Sequence, residues 1–181
     1  RDKNVEEFER PEVEVSSMTD HLMEQLNYLS LDESDQKIGE YLIWNIKDDG
    51  YLDESVSIES VAEIFENTAV NVESILKKVQ KFDPVGVGSR DLQECLLVQL
   101  EEMKPKPKLA VSIIKEHFED FKNKRYEKIL SEISIAREEL KEIIELIGKL
   151  NPKPGLGLYN TKHNYIIPDF VHVLVDGKIV K

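Results

Sequence analysis

The chain has 181 residues, 40% of them hydrophobic, which suffices for the core of one domain or of two small ones. Its single cysteine, Cys95, excludes an internal disulfide, and no apolar run approaches the roughly 20 residues that a membrane helix needs, so a reducing, cytoplasmic setting without membrane association is expected. The net charge is −12, and Lys+Arg against Asp+Glu number 3 and 6 in residues 1–17, 6 and 15 in residues 18–90, and 15 and 15 beyond. All of the acidic excess therefore precedes position 91, which makes the first half a poor binder of phosphate backbones and suits it to a basic protein surface.

Residues 1–16, with Glu6, Glu7, Glu9, Glu12 and Glu14 around Pro11, hold too little apolar surface to offset the entropy of ordering. They read as a flexible acidic linker. No apolar leader segment precedes it and the far end stops in strand-like sequence, so the chain reads as a fragment of a longer protein. From Ser17 the apolar period becomes helical: Leu22, Leu26 and Leu29 mark a first helix, and Ile38, Tyr41, Leu42 and Ile46 a second, ended by Asp49-Gly50. Ser57 caps a third helix carrying Ile58, Val61, Ala62 and Phe65, and Asn71 a fourth carrying Ile75, Leu76, Val79 and Phe82. Ser89 or Asp91 restarts the helical pattern with Leu92, Leu96, Leu100 and Met103, until Pro105 and Pro107 interrupt it. One stripe then runs from Ala110 through Ile113, Ile114 and Phe118 to Phe121, a short one from Tyr126 to Ile133, and a last one from Leu140 to Leu150. Asn151-Pro152-Lys153-Pro154-Gly155 stops that helix, and Asp176-Gly177 between two β-rich runs signals a hairpin.

The halves look like copies. At a constant offset of 68, Val61, Ala62, Phe65, Ile75, Leu76, Val79, Phe82 and Pro84 fall on Ile129, Leu130, Ile133, Ile143, Ile144, Ile147, Leu150 and Pro152. Chance alignment of amphipathic periods explains part of this, and a structural repeat is the expectation. The fold class is mainly α: two small helical bundles, residues 17–88 and 89–152, joined by a short Pro/Gly linker, with a truncated extended or β-hairpin extension over residues 153–181.

No catalytic signature is present. Gly86-Val87-Gly88 follows a helix, not a strand, and lacks the third glycine and the Gly-Lys-Ser/Thr of a phosphate loop, so it reads as a helix stop with a flexible glycine pair. Residues 45–56 fail as a calcium loop, with Lys47 at the third position and Val56 at the twelfth. His21, His117, His163 and His172 have no partner at metal-ligand spacing; no metal and no cofactor are expected, and His117 belongs at the rim of an apolar face. Trp44 lies about 240° around its helix from Ile38, off the apolar stripe, so it either packs between the bundles or anchors a protein partner. Lys122, Lys124, Arg125 and Lys128 form the one dense basic cluster, a solvated loop with nucleic-acid contact in a larger assembly as its functional alternative.

The run Phe82-Asp83-Pro84-Val85-Gly86-Val87-Gly88-Ser89-Arg90-Asp91-Leu92-Gln93-Glu94-Cys95 closely resembles the signature of the core-binding region of bacterial sigma-54 transcription initiation factors. Asp48-Asp49-Gly50-Tyr51-Leu52, Leu150-Asn151-Pro152-Lys153-Pro154-Gly155 and Tyr165-Ile166-Ile167-Pro168-Asp169 look like further motifs of that family in the family's order. The resemblance runs from about Ser17 onward. It implies a monomeric, non-enzymatic module that recruits core RNA polymerase to −24/−12 promoters for activator-dependent initiation. Promoter DNA and the ATP-hydrolysing activator would be engaged only through the family's N-terminal region and C-terminal DNA-reading parts, which this sequence lacks. Charge and resemblance together place polymerase docking on residues 17–88, with Trp44, Asp48, Asp49 and Tyr51 as contacts. Asp83, Pro84, Val85, Gly86, Val87, Gly88 and Ser89 would form a hinge or rigid elbow. A helix-turn-helix DNA-binding regulator and a helical adaptor are the alternatives.

Overall fold

The computed structural model describes residues 17–156 together with residues 173–175 and 178–180. The acidic 1–16 segment, the Tyr165-Ile166-Ile167-Pro168-Asp169 motif, His163, His172 and the Asp176-Gly177 turn lie outside the described residues. The protein is mainly helical. In chain order the elements are α1 (Met18–Asn27), α2 (Glu33–Trp44), α3 (Ile58–Ile64), α4 (Ala69–Val79), α5 (Leu92–Glu102), α6 (Lys108–Glu116), α7 (Phe118–Lys122), α8 (Tyr126–Ile133) and α9 (Arg137–Gly148). Val173–Val175 (β1) pairs antiparallel with Lys178–Val180 (β2), Leu174 opposite Ile179.

Caps account for where the helices start. Ser17 and Asp20 form a reciprocal capping box on α1, each accepting from the other's backbone N–H. Ser57 caps α3 through the N–H of Ser60, and Asp91 caps α5 through the N–H of Glu94 at 2.8 Å. The α4 cap is Thr68 instead of Asn71: the Asn71 N–H donates to Thr68 Oγ1 at 3.2 Å, and the Asn71 side chain ties α4 to α2 through Asp35 at 2.6 Å. α2 stops at Trp44, before Asp49-Gly50. Asn45 caps it by donating to the Tyr41 carbonyl, and Ile46 leaves the helix to bridge Leu52. The stripe expected from Ala110 to Phe121 is broken at His117, which ends α6 and begins α7.

Three apolar clusters hold these helices. Ile38, Leu42, Val61, Val72, Ile75 and Leu76 join α2, α3 and α4. Leu22, Leu26, Ile43, Val79, Phe82 and Val87 join α1 to the far sides of α2 and α4. The α1–α2 approach is close enough that a Cβ on Gly39 would sit 2.7 Å from Leu26 Cδ1. The third cluster draws only on residues after 88, with Leu100, Ala110, Ile113, Ile114, Ile129 and Leu140 at its centre. At the offset of 68, the bounds of α3 and α4 fall on α8 and α9. Their packing differs: α3 rests on α4, whereas α9 rests on α6 and α8 on α7.

Candidate functional site

Two kinds of surface emerge from the residues singled out by sequence. One is an exposed face on the first half; the other is a partly buried junction where three turns far apart in sequence meet.

The junction is built on backbone hydrogen bonds. Residues 47–51 form a tight turn in which Lys47 N–H donates to the Tyr51 carbonyl and Gly50 N–H to the Lys47 carbonyl, both at 2.8 Å. Gly50 holds φ +93°, a conformation that side chains rarely adopt. One flank of this turn meets the segment after α4: Gly88 N–H donates to the Gly50 carbonyl at 2.8 Å, and Leu52 N–H to the Ser89 carbonyl at 3.0 Å. The other flank meets the segment after α9: Gly155 N–H donates to the Asp49 carbonyl at 3.0 Å, and the Tyr51 hydroxyl donates to the Pro152 carbonyl. A Cβ on Gly50 would lie 2.5 Å from the Gly155 nitrogen, so the contact requires glycine. Burial, followed by the neighbouring Cys95 and the Asp49 and Asp91 carboxylates, pushes the Tyr51 phenol up to about 12.

The segment over residues 83–89 is internally locked. Pro84, Gly86, Val87, Gly88 and Ser89 are buried, Asp83 is exposed and Val85 is half-buried. Gly86 N–H donates to the Gln80 carbonyl, Val87 N–H to Pro84, and the buried Ser89 hydroxyl to the Gly86 carbonyl at 2.7 Å. The glycine pair read as flexible is therefore hydrogen-bonded inside the fold, and a Cβ on Gly86 would meet Cys95 Sγ at 2.9 Å. Just beyond it, the Arg90 guanidinium makes two bonds of 3.1 Å to Glu73 of α4 and also grips Glu94 of α5. Burial raises the pKa of the Glu94 carboxyl, but the Arg90 side chain and backbone N–H outweigh it and bring the group below its ordinary value. The same pairing, Glu94 first, raises the pKa of Arg90. Arg90 thus ties α4 to α5 across the segment.

The residues placed on a polymerase-docking face separate into two groups. Trp44 is 69% exposed and Asp48 is exposed, while Asp49 and Tyr51 are half-buried and spend their polar groups within the junction. Packing of Trp44 between bundles is thereby overturned: at the last position of α2 its indole projects into solvent. Of the basic cluster, Lys122 faces Glu119 at 3.9 Å, Arg125 faces Asp120 at 3.5 Å, and Lys128 reaches Asp120 at 2.7 Å and Glu132 at 3.8 Å. Asp120 is 8% exposed, and Lys128 above all holds its carboxyl below the usual range. His117 sits at the rim of the third cluster with Nδ1 2.9 Å from Glu132. Ligand atoms of His117, Asp120 and Glu132 lie within 4.8 Å of one another, a grouping that spacing did not reveal, and the Lys128 ammonium already serves as the cation for the two carboxylates.

The family model of the sigma-54 factor core binding domain matches residues 7–180. The chain belongs to that family. RNA polymerase sigma-54 factors are its curated relatives: that of Azotobacter vinelandii is 34% identical over 161 residues, covering 86% of this chain and 32% of the relative. The factor of Bacillus subtilis (strain 168) is 32% identical over 164 residues, 90% of this chain and 37% of the relative. The chain therefore spans about a third of the length of the curated relatives it matches. A solved structure described as the core binding domain of sigma54 aligns at 27% identity and a TM-score of 0.40, covering 57% of this chain and 77% of that one. In this member of the family, the three described motifs that carry the resemblance are the three turns of the junction. Sequence reasoning missed Gln25 and Gln99, whose amides hold two of those turns; their signal was a glutamine inside the first helix of each half.

Proposed function

We propose that the chain is the core RNA polymerase-binding part of a sigma-54 type initiation factor. The observation that carries this is the match of a core-binding family model to residues 7–180. The reading assigns the chain no catalysis and places it in the bacterial cytoplasm as a monomer until it meets polymerase. Promoter recognition and response to an ATP-hydrolysing activator belong to parts of the relatives beyond the third that this chain spans.

Within that reading, two helical bundles over residues 17–88 and 89–152 are joined by the Pro/Gly segment, with the 153–181 extension and its hairpin following. The acidic first bundle docks on polymerase through Trp44 and Asp48, with Asp49 and Tyr51 setting the turn beside them. Exposed Trp next to carboxylates suits a basic protein surface, because a large apolar anchor gains from desolvation while charge steers the approach. Residues 83–89 act as a rigid elbow, a role that fits their burial and hydrogen bonding better than free rotation. Lys122, Lys124, Arg125 and Lys128 are secondary candidates for nucleic-acid contact. Pairing of Lys122, Arg125 and Lys128 with neighbouring carboxylates argues for a solvated ion network instead.

The test is titration of the labelled chain into purified bacterial core RNA polymerase, with a primary sigma factor as competitor. Saturable binding displaced by the competitor supports the proposal. No binding at micromolar enzyme overturns it in favour of an adaptor, and duplex DNA affinity with a steep salt dependence would instead favour a helix-turn-helix regulator.

A further inference from the structure

The ends of the two helical halves carry the same hydrogen-bonded device. Gln25 in α1 donates from Nε2 to the Asp83 carbonyl at 2.8 Å and accepts from the Asp83 N–H at 2.8 Å. Gln99 in α5 donates to the Asn151 carbonyl at 2.7 Å and accepts from the Asn151 N–H at 2.9 Å. In each half one glutamine from the first helix satisfies both backbone groups of the residue before a proline. Those groups follow a helix end, where the helix supplies few partners of its own. The amide orientation is dictated by the pairing itself, since a flipped amide would set NH2 against N–H and oxygen against oxygen.

Asp83 and Asn151 are related by the offset of 68, as are the helical pairs that precede them. Gln25 lies 58 residues from Asp83, and Gln99 lies 52 from Asn151. The first half is longer before its helical pair, in the α2–α3 connection over residues 45–57; the α7–α8 connection spans only residues 123–125. That longer connection contains the 47–51 turn, which touches the segments after both prolines. The halves diverge past the clamp, the Asp83-Pro84 peptide being cis and Asn151-Pro152 trans.

We infer that Gln25 and Gln99 are matched locks of a duplicated unit, each fixing the proline turn that ends its own half, and that the 47–51 turn couples the two locks into one junction. The coupling runs through a chain of hydrogen bonds. Gln25 holds Asp83, the following segment donates Gly88 N–H to Gly50, and the Gly50 turn accepts Gly155 N–H at Asp49.

Amide hydrogen exchange on the whole chain tests this, read at Gly88 and Gly155 for the junction and at Leu100 for global opening. Gln99→Ala is expected to speed exchange at Gly155 about tenfold, the factor that about 1.4 kcal/mol gives. Gln25→Ala, which removes hydrogen bonds to the His21 and Asp83 backbone, speeds both Gly88 and Gly155 severalfold, with Leu100 unchanged. Gln25→Glu, which keeps the acceptor for Asp83 N–H but sets a carboxylate oxygen against the Asp83 carbonyl, speeds both glycines as well. Gln36→Ala removes an exposed glutamine bond to Asn27 of similar length and leaves both glycines unchanged. Acceleration of Gly88 alone by Gln25→Ala would overturn the coupling, and no acceleration by either variant would overturn the locks.

Discussion

Substituting Gly50 by alanine tests the junction where the structure is least forgiving. Two costs add. The backbone at φ +93° lies where a Cβ meets its own carbonyls, a penalty of about 1–2 kcal/mol. The new Cβ would also stand 2.5 Å from the Gly155 nitrogen and 2.8 Å from Pro154 Cγ, so one turn must move off the other; overpacking against backbone costs about 1–3 kcal/mol. Gly50→Ala is therefore expected to lose about 3 kcal/mol. With a urea slope of about 2 kcal/mol per molar, the midpoint of unfolding followed by far-UV circular dichroism falls by about 1.5 M. Gly148→Ala supplies the opposite sign: a Cβ at the end of α9 meets nothing within 4 Å, and replacing a helical glycine by alanine gains about 0.5–1 kcal/mol. A Gly50→Ala midpoint within 0.2 M of the parent would refute the claim that these turns touch through glycine.

Further expectations follow from single contacts. Ser89→Ala leaves the Gly86 carbonyl without its buried donor and should cost about 1–2 kcal/mol in the same urea titration; an unchanged midpoint would show that the carbonyl had another partner. Tyr51 has a folded pKa raised from about 10 to about 12, so its contribution is complete below pH 10 and drains away as the pH climbs from 10 to 12. In a phenolate absorbance titration, Tyr51→Phe should remove a phenol that ionises at about pH 12, and loss of one that ionises near pH 10 would contradict its burial. Trp44→Ala should leave stability within about 0.5 kcal/mol, since the side chain is exposed, yet weaken polymerase affinity at least about tenfold; unchanged affinity would remove Trp44 from the docking face.

Legibility in the sequence depended on how local the deciding contact was. Ser57 was readable as a cap because the helix stripe begins directly after it, whereas at α5 the sequence left Ser89 and Asp91 open, and Asp91 takes the position because the Ser89 hydroxyl is spent on the Gly86 carbonyl. At α4, Thr68 and Asn71 both suit the position, and the choice rests on which side chain faces Asp35 across the bundle, a tertiary fact. The stripe from Ala110 to Phe121 kept its period through His117 although the backbone did not, because the apolar side chains on both sides of the break share one cluster. Trp44 was correctly placed off the core stripe, but periodicity gives only the direction of a side chain and not what covers it. The junction was visible as three separate motifs and not as one object. The backbone bonds that join one turn to another link residues more than 30 positions apart and leave no trace in composition beyond the glycines that permit close approach. Gln25 and Gln99 were passed over because a glutamine on a helix flank is ordinary until its partner is known.

The Tyr51–Pro152 bond joins residues 101 positions apart, whereas the apolar clusters each draw on one half of the chain. Short-range contacts form first and closure of long loops comes later, so each helical half can consolidate before the turns meet. During synthesis from the N-terminus, the first half has every residue of its own core once position 87 has left the ribosome, while the partner of the Gly50 turn has yet to be translated. The contact between the Gly50 turn and Gly155 is thus made only after the residues of both helical cores are available, and its closure reports that the chain has been made at least as far as Gly155.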